Sequence, residues 1–563
     1  MKKNNKEIRK LKTFLITSGS IVTPLSAVAF LVACHEEEQP KVTKPNKPKN
    51  EIEQKPNTSS DSTKETITIP SQNNSQNGQQ NFVPPFNPDF IQRGIENAKR
   101  LREQQKQELA SNLTKLTDAQ AYEKLKNRTF AIAFNSVDKT DENNPNDVVK
   151  YEPTGTGWLL DAAYNENKSE VMLYIATNAH VFARSFNTLD TKYKDIFPEY
   201  FTEPNKGEKV DSFIIGVPKK EANIQAIDNN SRPDANNTPV YFINKQLGER
   251  EREREIGIDG IFDNPKTVFV ALNIFDNQTN EQLKQTSSTS PGSQKINNGI
   301  GKDFAVFGLK VNLAKLDELI SKNDANKENL QLFKDHIEKA IVDIEQDIAK
   351  FQTQQYPNHD KKAVPYISYD YTSIYQKGIA EPEKLGISES AILSPNTTKL
   401  YLLGYPSLDG QQFLMRNYPK NLTNKPFAIS NDSFSNGLAL NDILSPNRSY
   451  SSFGFITFIE NSGLYYGASG SLVINDYGLP VGIYSAVQTR GGNLDISGKA
   501  GYTPFVQIAD FDSYGLAHNL IDGTNKKLFP KQEKSYRQNL KKLSENEGEF
   551  KDFRKTLLFP DGP

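Results

Sequence analysis

The stretch "YYGASGSLVI", Tyr465 to Ile474, sets one serine among glycines and then runs at once into apolar residues. Gly467 permits a backbone twist that other residues resist. That twist can aim the N–H groups of Gly467 and Ser469 at one spot beside the Ser469 hydroxyl, and Gly470 leaves room for an approaching group. "SLVI" reads as a strand. A nucleophilic serine of the α/β-hydrolase type would sit on a strand-to-helix elbow and precede its acid and histidine; here a strand follows, and the serine comes late in the chain. An ordinary Gly/Ser turn is the plain alternative for the stretch taken alone.

Working outward, apolar runs bounded by turn signals recur on both sides. They are "TFAIAFNSV" at Thr129, "GTGWLLDAAY" at Gly155, "EVMLYIATNAHVF" at Glu170, "SFIIGVP" at Ser212, "KTVFVALNIF", "DFAVFGLKV", "KLYLLGYPS", "FGFITFI" and "PVGIYSAV". Many strands without regular strand–helix alternation predict a mainly β body with inserted helices rather than a parallel sheet. One helix is clear. Leu330, Phe333, Ile337, Ile341, Ile344, Ile348 and Phe351 recur at three or four residues and form one apolar stripe. Further helices are expected at "DFIQRGIENAKRLREQQKQELASNL", around Ala119 to Leu125, and in "EKSYRQNLKKL".

The amino-terminal end has a different character. "MKKNNKEIRKLK" is basic, the following run is apolar, and it ends in "LVAC", Leu31 to Cys34. This is the layout of a secretory signal with a lipobox, which predicts a lipidated Cys34 and anchoring on the outer face of a cell membrane; a membrane helix with an incidental cysteine is the other reading. Cys34 is the single cysteine, so an exported body must fold without disulfides. Residues 34–85 are rich in Lys, Glu, Pro, Asn, Gln and Ser and poor in apolar groups, which predicts a disordered tether. A net charge of −1 points to no nucleic-acid partner.

A serine needs a base to take its proton, an acid to orient that base, and donors for the oxyanion. Of the five histidines, His35 lies in the tether, His336 on the expected solvated flank of the long helix, His359 in a polar loop and His518 near the polar carboxy-terminal stretch. His180 ends a β-rich run in small residues, "TNAH", which suits a mounted imidazole. Asp303 stands immediately before an apolar run, where a carboxylate must accept hydrogen bonds to be tolerated. A strand-capping histidine and a turn aspartate are the bland readings of each. The chemistry asks for no metal and no cofactor, and the histidines are too scattered for a ligand cluster.

In the order His, Asp, Ser these motifs resemble those of the chymotrypsin-like (trypsin-fold) serine peptidases. "TNAHV", "DFAVFGL" and "GASGS" are similar to their three motifs, "GTGWLLD" to the strand before the histidine, and "VGIYSAV" to the strand that pairs with substrate backbone. The resemblance implies a two-β-barrel fold, with His180 as base, Asp303 as its orienting partner, Ser469 as nucleophile and Gly467 and Ser469 as oxyanion donors. It implies substrate contacts at Gly463, Ser485 and Val487. With Gly463 where trypsin-like enzymes hold an acid, a small or apolar side chain is expected there rather than Lys or Arg. Lipobox, tether and disulfide-free body together resemble the mycoplasma peptidase lipoproteins, the family of the mycoplasma immunoglobulin protease. That implies a protein substrate, host immunoglobulin presented by a partner surface protein being the candidate.

The spacings exceed those of compact members: 123 residues separate His180 from Asp303. The expected organisation is therefore a signal at 1–33, tether at 34–85, helical segment at 86–128, peptidase domain at 129–525 with insertions at about 190–300 and 311–395, and a polar segment at 526–563. "GEREREREIG" within the first insertion reads as a solvated charge run. A peptidase scaffold that only binds, as an adhesin or decoy, remains the alternative function.

Overall fold

The computed structural model describes residues 114–139, 148–151, 154–182, 188–201, 210–226, 233–245, 255–286, 296–322, 325–353, 364–368, 399–408, 410–418, 429–430, 439–445, 448–453, 457–459, 463–487, 489–490, 493–494, 500–507, 516–546 and 548–563. Cys34, the tether, the expected helix beginning at Asp89, His359 and most of the charge run lie outside them.

Helix α1 (Asp118–Arg128) starts where a capping box closes: the Thr117 N–H donates to Gln120 Oε1 at 2.9 Å and the Gln120 N–H returns to Thr117 Oγ1 at 3.3 Å. The chain then enters β1 (Thr129–Lys139), β2 (Thr154–Tyr164) and β3 (Glu170–Thr177). A single turn, α2 (Ala179–Phe182), follows β3, and further strands are β4 (Val210–Val217), β5 (Val240–Ile243), β6 (Lys266–Leu272) and β7 (Ile296–Asn312). These belong to one large sheet in which the order β7-β3-β2-β1-β4-β5 is antiparallel throughout. β6 pairs with β7 as well. Every residue of β2 from Gly155 to Ala163 is buried, which requires cover on both faces.

A second sheet contains β8 (Leu400–Gly404), β9 (Leu472–Asn475), β10 (Pro480–Val487) and β11 (Ala500–Pro504), adjacent in the order β8-β9-β10-β11 and antiparallel. Its side chains alternate as a pleat demands. Tyr401, Leu403, Leu472, Ile474 and Ile483 join the core shared with the first sheet. Leu400, Leu402, Val473, Val481 and Tyr484 form a separate core on the other side. The body is therefore mainly β with helices, and the described pairings of each sheet run as open paths between edge strands.

The long helix α3 (Lys327–Thr353) buries Leu330, Phe333, Ile337, Ile341, Ile344 and Phe351 of the stripe read from the sequence, with Ile348 half-buried. It also buries His336, whose Nε2 lies 3.1 Å from the Thr129 carbonyl and whose ring meets Phe130 edge-on at 4.9 Å. The expected solvated flank is thus wrong: the helix is covered where it crosses the end of α1 and the start of β1. His518 is likewise buried, with Nδ1 2.7 Å from the Leu516 carbonyl.

Two boundaries also change. The stretch 190–300, expected as an insertion, supplies β4, β5 and β6, three strands of the first sheet. The carboxy-terminal segment is not a polar appendage. It forms helix α4 (Tyr536–Ser544), and Phe529, Tyr536, Leu540, Leu543, Phe550 and Phe553 enter the main core. Asp161 of β2 fastens it. Its Oδ2 accepts the Tyr536 hydroxyl at 3.0 Å and its Oδ1 accepts the Leu558 N–H at 3.1 Å, while burial pushes its carboxyl up to about 7.

Candidate active site

Two neighbouring residues of β2 gather the site. Gly155 takes the side chain of Val181 so closely that a Cβ there would lie 2.4 Å from Val Cγ1. This seats the α2 turn, and with it His180, against the strand. One residue on, the Thr156 N–H donates to the Ser469 carbonyl at 2.9 Å, and the Thr156 carbonyl accepts Thr177 Oγ1 at 2.8 Å. Gly470, at φ +93°, has no space for a side chain, since a Cβ would lie 2.0 Å from the Thr156 carbonyl oxygen and 2.4 Å from Thr177 Oγ1. The serine turn of the second sheet and the histidine turn of the first therefore meet at one end of β2 and β3.

Asp303 reaches the same place from β7. Its Oδ2 lies 2.7 Å from His180 Nδ1, and its Oδ1 accepts the His180 backbone N–H at 3.0 Å. The Asp303 carbonyl is held by Asn178 Nδ2 at 2.8 Å. Beneath them Phe182 stacks on Phe307 with centroids 5.5 Å apart, and Phe134 meets both edge-on, so the aromatic core fixes histidine turn and aspartate strand together. Asp303 is 9% exposed at its side chain and His180 is 32% exposed, so the imidazole keeps an open face. Burial pulls the imidazole down, but the Asp303 charge and hydrogen bond outweigh it and hold it above its ordinary 6.5.

At the serine turn Gly467 has φ +90°, the conformation expected of the glycine there. The Ala468 and Gly470 N–H groups donate to the carbonyls of Tyr465 and Tyr484. The N–H groups of Gly467 and Ser469 donate to nothing among the described residues, and no hydrogen bond there joins the Ser469 hydroxyl to His180. Ser469 is half-buried.

The remaining sequence-picked residues lie beside this turn. Gly463 is buried, and the next residue, Leu464, donates its N–H to the Tyr484 hydroxyl at 3.2 Å and accepts that hydroxyl on its carbonyl at 2.8 Å. Val487 packs in the second core with Leu464, Ala468 and Tyr484. Ser485 is half-buried, its Oγ 3.2 Å from Thr503 Oγ1. Thr156, Thr177 and Asn178 were not picked out. Their one trace is position, inside the strand motifs that flank the histidine. Lys302, beside Asp303, is also buried, its Nζ 5.3 Å over the Phe453 ring, and burial pushes it down to about 7.

Residues 119–486 match the family described as Mycoplasma immunoglobulin protease. The chain belongs to that family. An uncharacterized lipoprotein of Mycoplasma capricolum subsp. capricolum is 29% identical over 80% of this chain and 72% of its own length. An uncharacterized lipoprotein of Mycoplasma genitalium, MG068, is 23% identical over 63% of this chain and 70% of its own. Among solved structures, that of the mycoplasma MIB and MIP proteins is 16% identical with a TM-score of 0.39, covering 74% of this chain and 60% of that one. The chain thus spans about three fifths of that solved protein.

Proposed function

We propose that this member of the mycoplasma immunoglobulin protease family is a serine endopeptidase of the chymotrypsin type, held on the outer face of the cell membrane through lipidated Cys34. The carrying observation is the doubly bound His180–Asp303 pair beside a serine turn with two unengaged amides. In this reading Ser469 Oγ attacks the scissile carbonyl and His180 takes its proton. Asp303 orients the imidazole and stabilises its charge, and the Gly467 and Ser469 amides receive the oxyanion. His180 then protonates the leaving amine, and water releases the acyl-enzyme. The two sheets stand for the two barrels of that fold, with the site between them. Gly463, Ser485 and Val487 would flank the substrate, whose side chain is small or apolar. The substrate is a host protein, with immunoglobulin the first choice on the family's description and a binding partner presenting it.

The experiment sets the full-length chain beside Ser469→Ala with a panel of serum proteins that includes immunoglobulin, each with and without an immunoglobulin-binding mycoplasma surface protein. Cleavage by the wild type alone supports the reading. The lack of a Ser469–His180 hydrogen bond favours a second reading, a scaffold that binds without cleaving. Identical binding and no cleavage by both proteins would establish it.

A further inference from the structure

Four consecutive carbonyls of the serine turn each have a named donor. The Tyr466 oxygen accepts the Ser407 N–H at 2.6 Å. The Gly467 oxygen accepts Thr156 Oγ1 at 3.0 Å. The Ala468 oxygen accepts both the N–H and the Oγ of Ser471, at 3.0 and 2.6 Å. The Ser469 oxygen accepts the Thr156 N–H. In a trans peptide the C=O and the following N–H point in opposite directions. Fixing the Tyr466 and Ala468 carbonyls therefore aims the Gly467 and Ser469 amides the other way, and these are the two that engage nothing among the described residues.

We propose that Ser471 and Thr156 are positioning residues for the oxyanion amides: Ser471 fixes the peptide that carries the Ser469 N–H, while Thr156 fixes the two alternating peptides of the turn and, through Tyr405, the segment whose Ser407 N–H holds the Tyr466 carbonyl. This rests on the peptidase reading above. Each hydroxyl is built in. Both side chains are fully buried. Thr156 Oγ1 spends its proton on Gly467 and accepts the Tyr405 N–H at 2.9 Å, which ties the turn to the segment leading to Ser407. Ser471 Oγ sits against Gly404, where a Cβ would come within 1.9 Å of it, so the hydroxyl is wedged onto the Ala468 carbonyl. Because Thr156 belongs to the first sheet and Ser471 leads directly into β9 of the second, the aim of the amides depends on the contact between the sheets. Preorganised donors stabilise a developing charge without rearranging, and small misplacements are costly.

The test needs no knowledge of the natural substrate. A fluorophosphonate probe reacts when Ser469 Oγ bonds to phosphorus, fluoride leaves, and the serine proton passes to His180; the phosphoryl oxygen occupies the oxyanion position. Labelling rates are measured for the full chain, Thr156→Val, Thr156→Ser and Ser471→Ala, with melting temperatures alongside. Thr156→Val and Ser471→Ala are expected to label about tenfold to a hundredfold more slowly while still melting cooperatively, and Thr156→Ser to stay within about twofold of wild type. Wild-type rates in Thr156→Val and Ser471→Ala would overturn the inference and leave the nucleophile standing. Equal losses in Thr156→Ser and Thr156→Val would overturn it too, by showing that shape and not the hydroxyl matters. A wild type that never labels at Ser469 would remove the peptidase reading itself.

Discussion

Asp303 grips His180 at two points, its Oδ2 2.7 Å from the ring Nδ1 and its Oδ1 on the backbone N–H at 3.0 Å. The first contact favours the tautomer with a proton on Nδ1, which leaves the Nε2 lone pair free. The second holds the turn on which the ring is mounted. One carboxylate thus sets both the proton and the position.

A pH dependence follows. On the proposed mechanism only the neutral imidazole can accept the Ser469 proton, and Asp303 holds its pKa above 6.5. The rate of fluorophosphonate labelling should rise with pH through an inflection above 6.5. Asp303→Asn leaves burial unopposed, so its inflection should move down while its maximal rate falls on the order of 10⁴-fold. Profiles of both proteins from pH 5 to 9 check this. An inflection that stays put in Asp303→Asn would sink it.

Stability has its own lever at the junction of α1 and α3. The Arg128 guanidinium, 1% exposed, pairs with Asp343 through Nε and Asp347 through Nη2, and lies 5.0 Å over the Tyr366 ring. Lys124 Nζ reaches the same carboxylates at 3.1 and 2.6 Å. Burial would raise the Asp343 carboxyl, but the Arg128 and Lys124 cations outweigh it and hold it below its ordinary value. Arg128→Ala removes one cation and leaves charge buried, which should cost about 3–5 kcal/mol. Denaturant unfolding of the two proteins measures it, and a loss under about 1 kcal/mol would contradict the buried network.

Acid should weaken the fold through two histidines outside the site. Burial pushes His336 down to about 4. Burial and the nearby Lys302 charge push His518 down to about 3. Both stay neutral in the fold at pH values where an unfolded chain, with its histidines near 6.5, already binds protons. Their contribution is complete above 6.5 and is lost as pH falls from there toward 4, on the order of 3 kcal/mol each. Unfolding midpoints followed down that window should drop, and His336→Phe should make the drop shallower. An unchanged slope in that variant would show that His336 is charged in the fold.

The strands were legible because their apolar runs end in turn signals, and the long helix because its stripe keeps a helical period. The His180–Asp303 pair and the tight glycine turn at Ser469 were legible because each sits in a short motif with its own flanks. Thr156 and Ser471 were not, since their hydroxyls gain meaning only from carbonyls that the fold brings to them across hundreds of residues or around a turn. β4 was recognised as a strand yet assigned to an insertion, because spacing along the chain says nothing of its pairing with β1. His336 stands on the apolar flank only once α1 and β1 pack over it. The carboxy-terminal segment misled for a related reason: its composition is polar, but its few aromatic residues are the ones that turn inward.

That last feature bears on the order in which the molecule is made. The Asp161 carboxylate is synthesised 375 residues ahead of the Tyr536 hydroxyl that binds it. Until that partner emerges, β2, the strand that seats both the histidine and serine turns, lacks part of its cover. A nascent chain or a fragment that stops before Lys526 would leave this flank open to water and to other chains, so the seat of both turns is completed last.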